Sequence, residues 1–163
     1  MIFLSKEDNP MKISISTFSN IRHFEPYMIP ISTAVWDPKW FHDKTQPDGV
    51  YKDKRGIYNG LRYESLAPGI TCSHLCRGLP CAQEPSSCLF LQKYGAQLAT
   101  VNFDLMCQEL AQLAYAIQAH EQFAHEPEIV LLVYETPDNP CSERQELIKW
   151  FSAHGQELKE VEF

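Results

Sequence analysis

The sequence contains no long apolar run and no recognisable export signal. None of its hydrophobic stretches approaches the ~20 residues that cross a bilayer. The opening letters MIFL are too few for the core of a signal peptide, and no basic residue stands ahead of them. We therefore expect a cytoplasmic protein without a membrane partner.

Positive charge is scarce towards the C-terminus. From residue 121 onward there are ten acidic and three basic side chains, whereas residues 1–120 carry eleven of each sign and sum to zero. The whole chain has a net charge of −7 at pH 7. An acidic protein binds nucleic acid poorly without specificity, because that affinity depends on neutralising phosphates. The neutral part of the chain can still present a local basic surface.

One stretch of this neutral part combines cations with aromatic rings. Residues 51–62 read YKDKRGIYNGLR. Cations beside rings suit phosphate contacts and base stacking, whereas a charge run is also typical of a solvated loop. Both interpretations stay open, and the candidate anion-binding side chains are Lys52, Lys54 and Arg55.

The apolar pattern predicts an α/β fold. With 163 residues, of which 44% are hydrophobic and 21% charged, the chain is long enough to bury one core. We predict strands at residues 11–18, 28–36 and 129–134, a short closing strand within 157–163, and helices at 101–123 and 143–154. This alternation predicts a mostly parallel sheet flanked by helices.

The predicted domain organisation is simple. Residues 11–163 form a single domain, and residues 1–10 are an N-terminal arm or precede an alternative start at a second methionine. Residues 37 to about 85 show no sustained period. A loop of that length inside a domain is usually functional or held by something else. Within it begins a cysteine-rich insertion at residues 66–90.

The turn between the third predicted strand and the helix that follows places a thiol at a helix start. In open α/β sheets, ligands bind beyond the carboxyl ends of the strands. A helix N-terminus attracts anions and lowers the pKa of a thiol. This favours a catalytic site with Cys141 as nucleophile, Arg144 gripping a phosphate and Glu135 beside them, while Ser142 and Asn139 help to bind the anion.

The same turn has a structural interpretation. Free cysteine is among the most buried residues, and Cys141 flanks a helix start that Ser142 and Gln145 are expected to cap. A tyrosine-phosphatase loop is excluded, because its arginine stands six positions after the cysteine, where this chain has Leu147. A packing role and a functional role for Cys141 both stay open.

The stretch LLVYETPDNPCSER, followed by an amphipathic helix and a closing strand, resembles the C-terminal half of the uncharacterised domain-of-unknown-function 488 family. ISTFSNIRHF and MIPISTAVWDPKWF resemble a subgroup found in bacteria and their phages, so the resemblance covers most of residues 11–163. It places Glu135, Cys141 and Arg144 on the family's pattern, although Ser-Glu replaces the usual histidine before the arginine. The resemblance implies an α/β fold and supplies no reaction.

The stretch CSHLCRGLPCAQEPSSC concentrates four cysteines in a segment with little apolar content. In a chain without an export signal, such crowding favours a metal over disulfides. We predict a structural zinc, with an iron–sulfur cluster and free or oxidised thiols as alternatives, and His74 as a possible replacement for one cysteine. The predicted ligands are Cys72, Cys76, Cys81 and Cys88.

Two hypotheses of function follow from these patterns. In the first, the protein is an enzyme that acts on a phosphate-bearing substrate, such as a nucleotide or nucleic acid, through Cys141 and Arg144. In the second, it is a non-catalytic, zinc-stabilised binding module for nucleic acid or a protein partner, and residues 51–62 form part of the recognition surface. The sequence leaves the oligomeric state open.

Overall fold

A computed structural model describes residues 11–69, 84–139 and 141–163. Its strands are β1 (Lys12–Thr17), β2 (Met28–Ser32), β3 (Tyr51–Lys52), β4 (Tyr58–Asn59), β5 (Glu128–Val133) and β6 (Lys159–Glu160). Its α-helices are α1 (Leu89–Leu98), α2 (Phe103–Glu121) and α3 (Glu143–Ala153). None of the helices in these ranges is long and apolar enough to cross a membrane.

The central sheet has four parallel strands in the order β2-β5-β1-β6. β5 lies between β1 and β2, and all six of its residues are buried. Its register with β1 runs from Lys12 opposite Glu128 to Thr17 opposite Val133. A strand buried on both faces reads as a continuous apolar run, as residues 129–133 of β5 do. The predicted parallel α/β fold is confirmed.

The two faces of the sheet are covered by different structures. The three α-helices pack on one face, where Ile13, Ile15, Ile29, Ile31, Ile129 and Leu131 meet Met106, Leu110, Leu147 and Phe151. A 3₁₀ segment (Phe18–His23) and the chain after β2 cover the other face, where Phe18, Ile21, Phe41 and Ile57 meet Val130 and Leu132. The long segment that follows β2 therefore contributes to the core.

The helix ends follow their capping residues. The Oδ1 atom of Asn102 accepts a hydrogen bond from the amide of Leu105 at 3.0 Å, so Asn102 is the N-cap of α2. Ser142 caps α3, but its hydroxyl accepts from the amide of Arg144, one residue earlier than predicted. Gly155 ends α3 with a φ of +79°, the left-handed conformation that glycine adopts without steric cost.

Several elements differ from the prediction. β2 ends at Ser32, so the second strand is shorter than predicted. Helix α1 and the β3–β4 hairpin were not predicted. The apolar residues of α1 have helical spacing, but the helix is short and contains Gly95. A Cβ atom on Gly95 would lie 2.9 Å from the side chain of Glu146, so the small residue allows α1 to approach α3 closely.

Candidate functional site

Arg144 lies in the turn between β5 and α3, and its side chain is directed into the protein. The residue is 1% exposed. Its Nε atom donates to the carboxylate of Glu160 in β6, and its Nη1 atom donates to the backbone oxygen of Glu135 at 2.5 Å. Its Nη2 atom is buried and has no hydrogen-bond partner in the described ranges. The guanidinium thus joins α3 to β6 and to the end of β5.

Cys141 contacts a different part of the protein. Its side chain is half-buried and packs against the apolar cluster of Cys88, Phe90 and Leu91 at the start of α1. Its backbone amide donates to the Oδ1 atom of Asn139 at 3.0 Å, so the asparagine side chain supports the turn. The structure places two of the three predicted catalytic side chains, Cys141 and Arg144, in contact with different elements.

Glu143 is the buried acid of this turn, and sequence patterns did not single it out. It is 3% exposed, and its Oε1 atom has no hydrogen-bond partner among the residues that the structure describes. Burial raises the pKa of Glu143 to about 8; the charge of Glu135 adds to this rise, and the charge of Arg144 opposes it. Glu143 is therefore mostly protonated at neutral pH. The half-buried Glu135 also accepts a hydrogen bond from the hydroxyl of Ser142 at 3.4 Å.

The predicted basic stretch contains the β3–β4 hairpin, and three of its four cations, Lys52, Arg55 and Arg62, make internal contacts. Lys52 pairs with Glu121 of α2 at 2.7 Å. Arg55 donates to the backbone oxygens of Ile21 at 2.6 Å and Arg22 at 2.7 Å, which anchors the hairpin to the 3₁₀ segment. Lys54 is exposed. Anion binding by these cations stays a prediction.

A cavity of about 230 Å³ opens between this hairpin, the 3₁₀ segment and Trp40. We call it the hairpin pocket. Three aromatic rings line it, those of Phe18, Trp40 and Tyr51. Its other lining residues are Ser19, Ile21, Arg22, Asp53, Arg55 and Asn59. The pocket therefore combines aromatic walls with charged and polar groups.

The aromatic walls are held in place by packing and by one hydrogen bond. The rings of Phe18 and Trp40 meet edge to face, with centroids 6.5 Å apart, and Trp40 remains 51% exposed. The hydroxyl of Tyr51 donates to the backbone oxygen of Trp40 at 2.5 Å. Burial, and then the charges of Asp53 and Asp43, raise the pKa of Tyr51, so the phenol keeps the proton that it donates.

The pocket lies beside the carboxyl edge of the sheet. Phe18 directly follows β1, and its ring contacts the ring of Tyr134, which directly follows β5, with centroids 6.1 Å apart. Ligands of open parallel sheets bind at this edge. The exposed rings of Tyr134 and Trp40 extend the aromatic surface beyond the pocket itself.

Asn59 supplies the buried polar group of the pocket. It is 1% exposed, and its Nδ2 atom donates to the backbone oxygen of Ile57 at 3.2 Å and to the carboxylate of Asp53 at 3.3 Å. Its Oδ1 atom is buried without a hydrogen-bond partner in the described part of the chain. Through these two hydrogen bonds Asn59 supports the turn of the hairpin.

Asp37 forms a second polar cluster, at the end of β2. Its side chain is 4% exposed and pairs with Arg62 at 2.6 Å and with the Nε2 atom of His42 at 2.5 Å. The hydroxyl of Ser32 also donates to it, and Arg62 donates to the backbone oxygen of Ala34 at 2.8 Å. Every contact of this carboxylate is with another residue of the protein. We therefore assign the cluster a structural role, which is to stabilise the position of the chain that follows β2.

Three of the four predicted zinc ligands, Cys72, Cys76 and Cys81, lie outside the described residues, as does His74. Cys88 is described; it is buried and precedes α1. Within the described ranges no group of three or more potential metal ligands occurs. The zinc site therefore stays a prediction.

Comparisons with known proteins give no information about the site, so we interpret it from its geometry. No protein-family model, curated protein or solved structure matches the chain. The resemblance to the domain-of-unknown-function 488 family therefore stays a prediction. Sequence reasoning pointed to the hairpin through its alternation of cations and rings. It left open whether Trp40 packs in the core or stacks on a ligand, and it missed Asn59 and Phe18, because the pocket residues come together only when three separate segments meet.

Proposed function

We propose that this protein is a binding module that takes up a nucleobase in the hairpin pocket. The base would be carried by a free nucleotide or by single-stranded nucleic acid. The observation that carries the proposal is a cavity with three aromatic rings in its walls. Flat heterocycles stack on such rings whatever their sequence context.

The size of the cavity favours a single ring system. At about 230 Å³ it is smaller than the ~300–1,000 Å³ of sites that enclose drug-sized ligands. A base fits inside such a cavity, whereas its sugar and phosphate would remain at the rim. Arg22, which lines the pocket, and Lys39, beside Trp40, are both exposed and provide positive charge for a phosphate there.

The contacts of Arg144 make the turn after β5 a weaker candidate. Two guanidinium nitrogens already donate to Glu160 and to the backbone oxygen of Glu135. A bidentate grip on a phosphate would require these bonds to break and the 1% exposed side chain to leave its site. Catalysis by Cys141 and Arg144 remains the alternative hypothesis.

The proposal is tested by measuring affinity for two probes. The first is a short, labelled, mixed-sequence single strand, followed by fluorescence anisotropy, and the second is a mixture of nucleoside monophosphates, followed by calorimetry. Binding of the strand alone identifies nucleic acid as the source of the base, whereas binding of both probes identifies free nucleotides as sufficient. Absence of binding to both probes contradicts the proposal.

Two exposed tryptophans provide a matched pair of variants. Trp40 lines the pocket and Trp36, 70% exposed, does not. Since stacking contributes about 1–3 kcal/mol per base, Trp40→Ala is expected to weaken binding by about 5- to 150-fold. Trp36→Ala is expected to leave affinity within about twofold of the wild type. Equal losses in the two variants would place the binding surface elsewhere.

A further inference from the structure

A second exposed aromatic ring lies beside the hairpin pocket. Tyr134 directly follows β5 and is 62% exposed, and it stands outside the set of residues that line the pocket. Its ring contacts the ring of Phe18 with centroids 6.1 Å apart, and the ring of Trp40 contacts the same ring with centroids 6.5 Å apart. Phe18 itself is buried. Two exposed rings, those of Trp40 and Tyr134, thus flank one buried ring at the carboxyl edge of the sheet.

The spacing of the two exposed rings suits a short single strand. Because both rings contact Phe18, their centroids are at most about 13 Å apart, whereas neighbouring bases of a stacked strand follow each other at about 3.4 Å. About four base steps cover this distance, and an extended strand needs fewer. Any base can stack on an aromatic side chain. A base held against Trp40 in the pocket therefore leaves Tyr134 for a base further along the same strand.

The charges around the pocket favour a phosphate backbone at its rim. Arg22 lines the pocket and Lys39 directly precedes Trp40, and both cations are exposed. The carboxylate of Asp53 in the pocket wall is offset by Arg55, whose Nη2 atom lies 3.9 Å from the Oδ2 atom of the aspartate. Positive groups that follow the backbone, together with rings that take the bases, are the combination that binds single strands.

The turn after β5 limits how far such a strand extends. Glu135 is half-buried and Asp138 is exposed, so acidic side chains follow Tyr134 and disfavour further phosphates there. We infer that the ligand is a short stretch of single-stranded nucleic acid, with one base in the hairpin pocket and another stacked on Tyr134, where the strand leaves the protein. This inference rests on the proposed function and names a single strand, rather than a free nucleotide, as the source of the base.

The test is a series of ligand lengths on the 163-residue chain, followed by calorimetry at one salt concentration. The probes are a mixture of nucleoside monophosphates, a mixed-sequence pentanucleotide and a mixed-sequence decanucleotide. We expect the pentanucleotide to bind at least about tenfold more tightly than the monophosphates, because it contacts both exposed rings. The decanucleotide should bind within about fivefold of the pentanucleotide, because its additional phosphates meet the acidic turn.

The outcomes separate this inference from the proposed function. Equal affinity for the monophosphates and the pentanucleotide overturns the inference and leaves the proposed function standing. A further gain well above about fivefold for the decanucleotide overturns the assignment of the end of the strand to Tyr134. Failure of all three probes to bind contradicts the proposed function itself.

Tyrosine variants assign the gain in affinity to one ring. Tyr134→Ala is expected to weaken binding of the pentanucleotide by about 5- to 150-fold and to leave the monophosphates within about twofold of the wild type. Tyr134→Phe keeps the ring and should bind like the wild type. Tyr115→Ala is the control, because Tyr115 is exposed on α2, which covers the opposite face of the sheet.

A folded Tyr134→Ala variant that binds the pentanucleotide like the wild type overturns the inference. Folding is checked by the melting temperature, which should change little because the side chain is largely exposed. If Tyr134→Ala does not fold, the series of ligand lengths on the wild type decides alone.

Discussion

Replacing Glu143 with glutamine is expected to remove a large part of the pH dependence of the stability of this protein. Glutamine has nearly the same shape as a protonated glutamate and cannot ionise. The side chain of Glu143 is buried at the start of α3, where the charge of Glu135 disfavours its ionisation and the charge of Arg144 only partly compensates. At neutral pH the unfolded chain has this carboxyl ionised, whereas the folded protein favours its protonated form.

The size of the effect follows from the two pKa values. The ordinary carboxyl pKa of 4.5 applies to the unfolded chain, and a pKa of about 8 applies to the folded protein. Because the folded protein holds the proton more tightly, its full contribution is present at low pH and is lost as the pH rises between these two values. From about pH 5 to pH 8 the wild type should lose roughly 3–4 kcal/mol of unfolding free energy through this group. The Glu143→Gln variant should not show this loss.

The measurement is the free energy of unfolding in urea at a series of pH values for the wild type and the variant. Groups that do not interact with Glu143 contribute equally to both proteins, so the difference between the two curves reports Glu143 together with its coupling to Glu135 and Arg144. Glu157→Gln serves as the control, since Glu157 has an exposed side chain next to the end of α3 and its replacement should leave the pH dependence unchanged. Parallel curves for the wild type and Glu143→Gln would refute the assignment of a buried, protonated acid.

Two further predictions concern the segment that follows β2. Asp37→Ala should lower the free energy of unfolding by about 3–5 kcal/mol, because it leaves the largely buried Arg62 without its buried partner. The control is Glu64→Gln, which removes the exposed partner of the same arginine. This control should lower the free energy of unfolding by less than about 1 kcal/mol. Comparable losses in urea unfolding would show that the cluster does not fasten this segment. Gly60→Ala should cost more than Gly155→Ala, since both glycines have positive φ but only at Gly60 would a Cβ atom meet a backbone oxygen, at 2.5 Å. The strained backbone alone should cost about 1 kcal/mol, and equal melting temperatures for the two variants would contradict the steric argument.

Local patterns in the sequence were sufficient for the elements that form the sheet and its main helices. β5 reads as an unbroken apolar run because it is buried on both faces, and α2 shows helical spacing from Phe103 to Ile117 after an asparagine cap. The stop at Gly155 was equally readable, since only glycine adopts a left-handed conformation freely. Such signals depend on neighbouring residues, so a single sequence contains them.

The sequence by itself therefore determined the α/β class, the parallel sheet and the position of the turn after β5. Only the tertiary structure decided what the polar residues do. Arg144 was predicted to face a ligand, yet burial beside Glu160 and the backbone of Glu135 directs its guanidinium inward. The hairpin pocket likewise depends on contacts among segments separated by up to about forty residues, from Phe18 to Asn59. The direction of a polar side chain and the pairing of its atoms depend on such long-range contacts, and no local pattern records them.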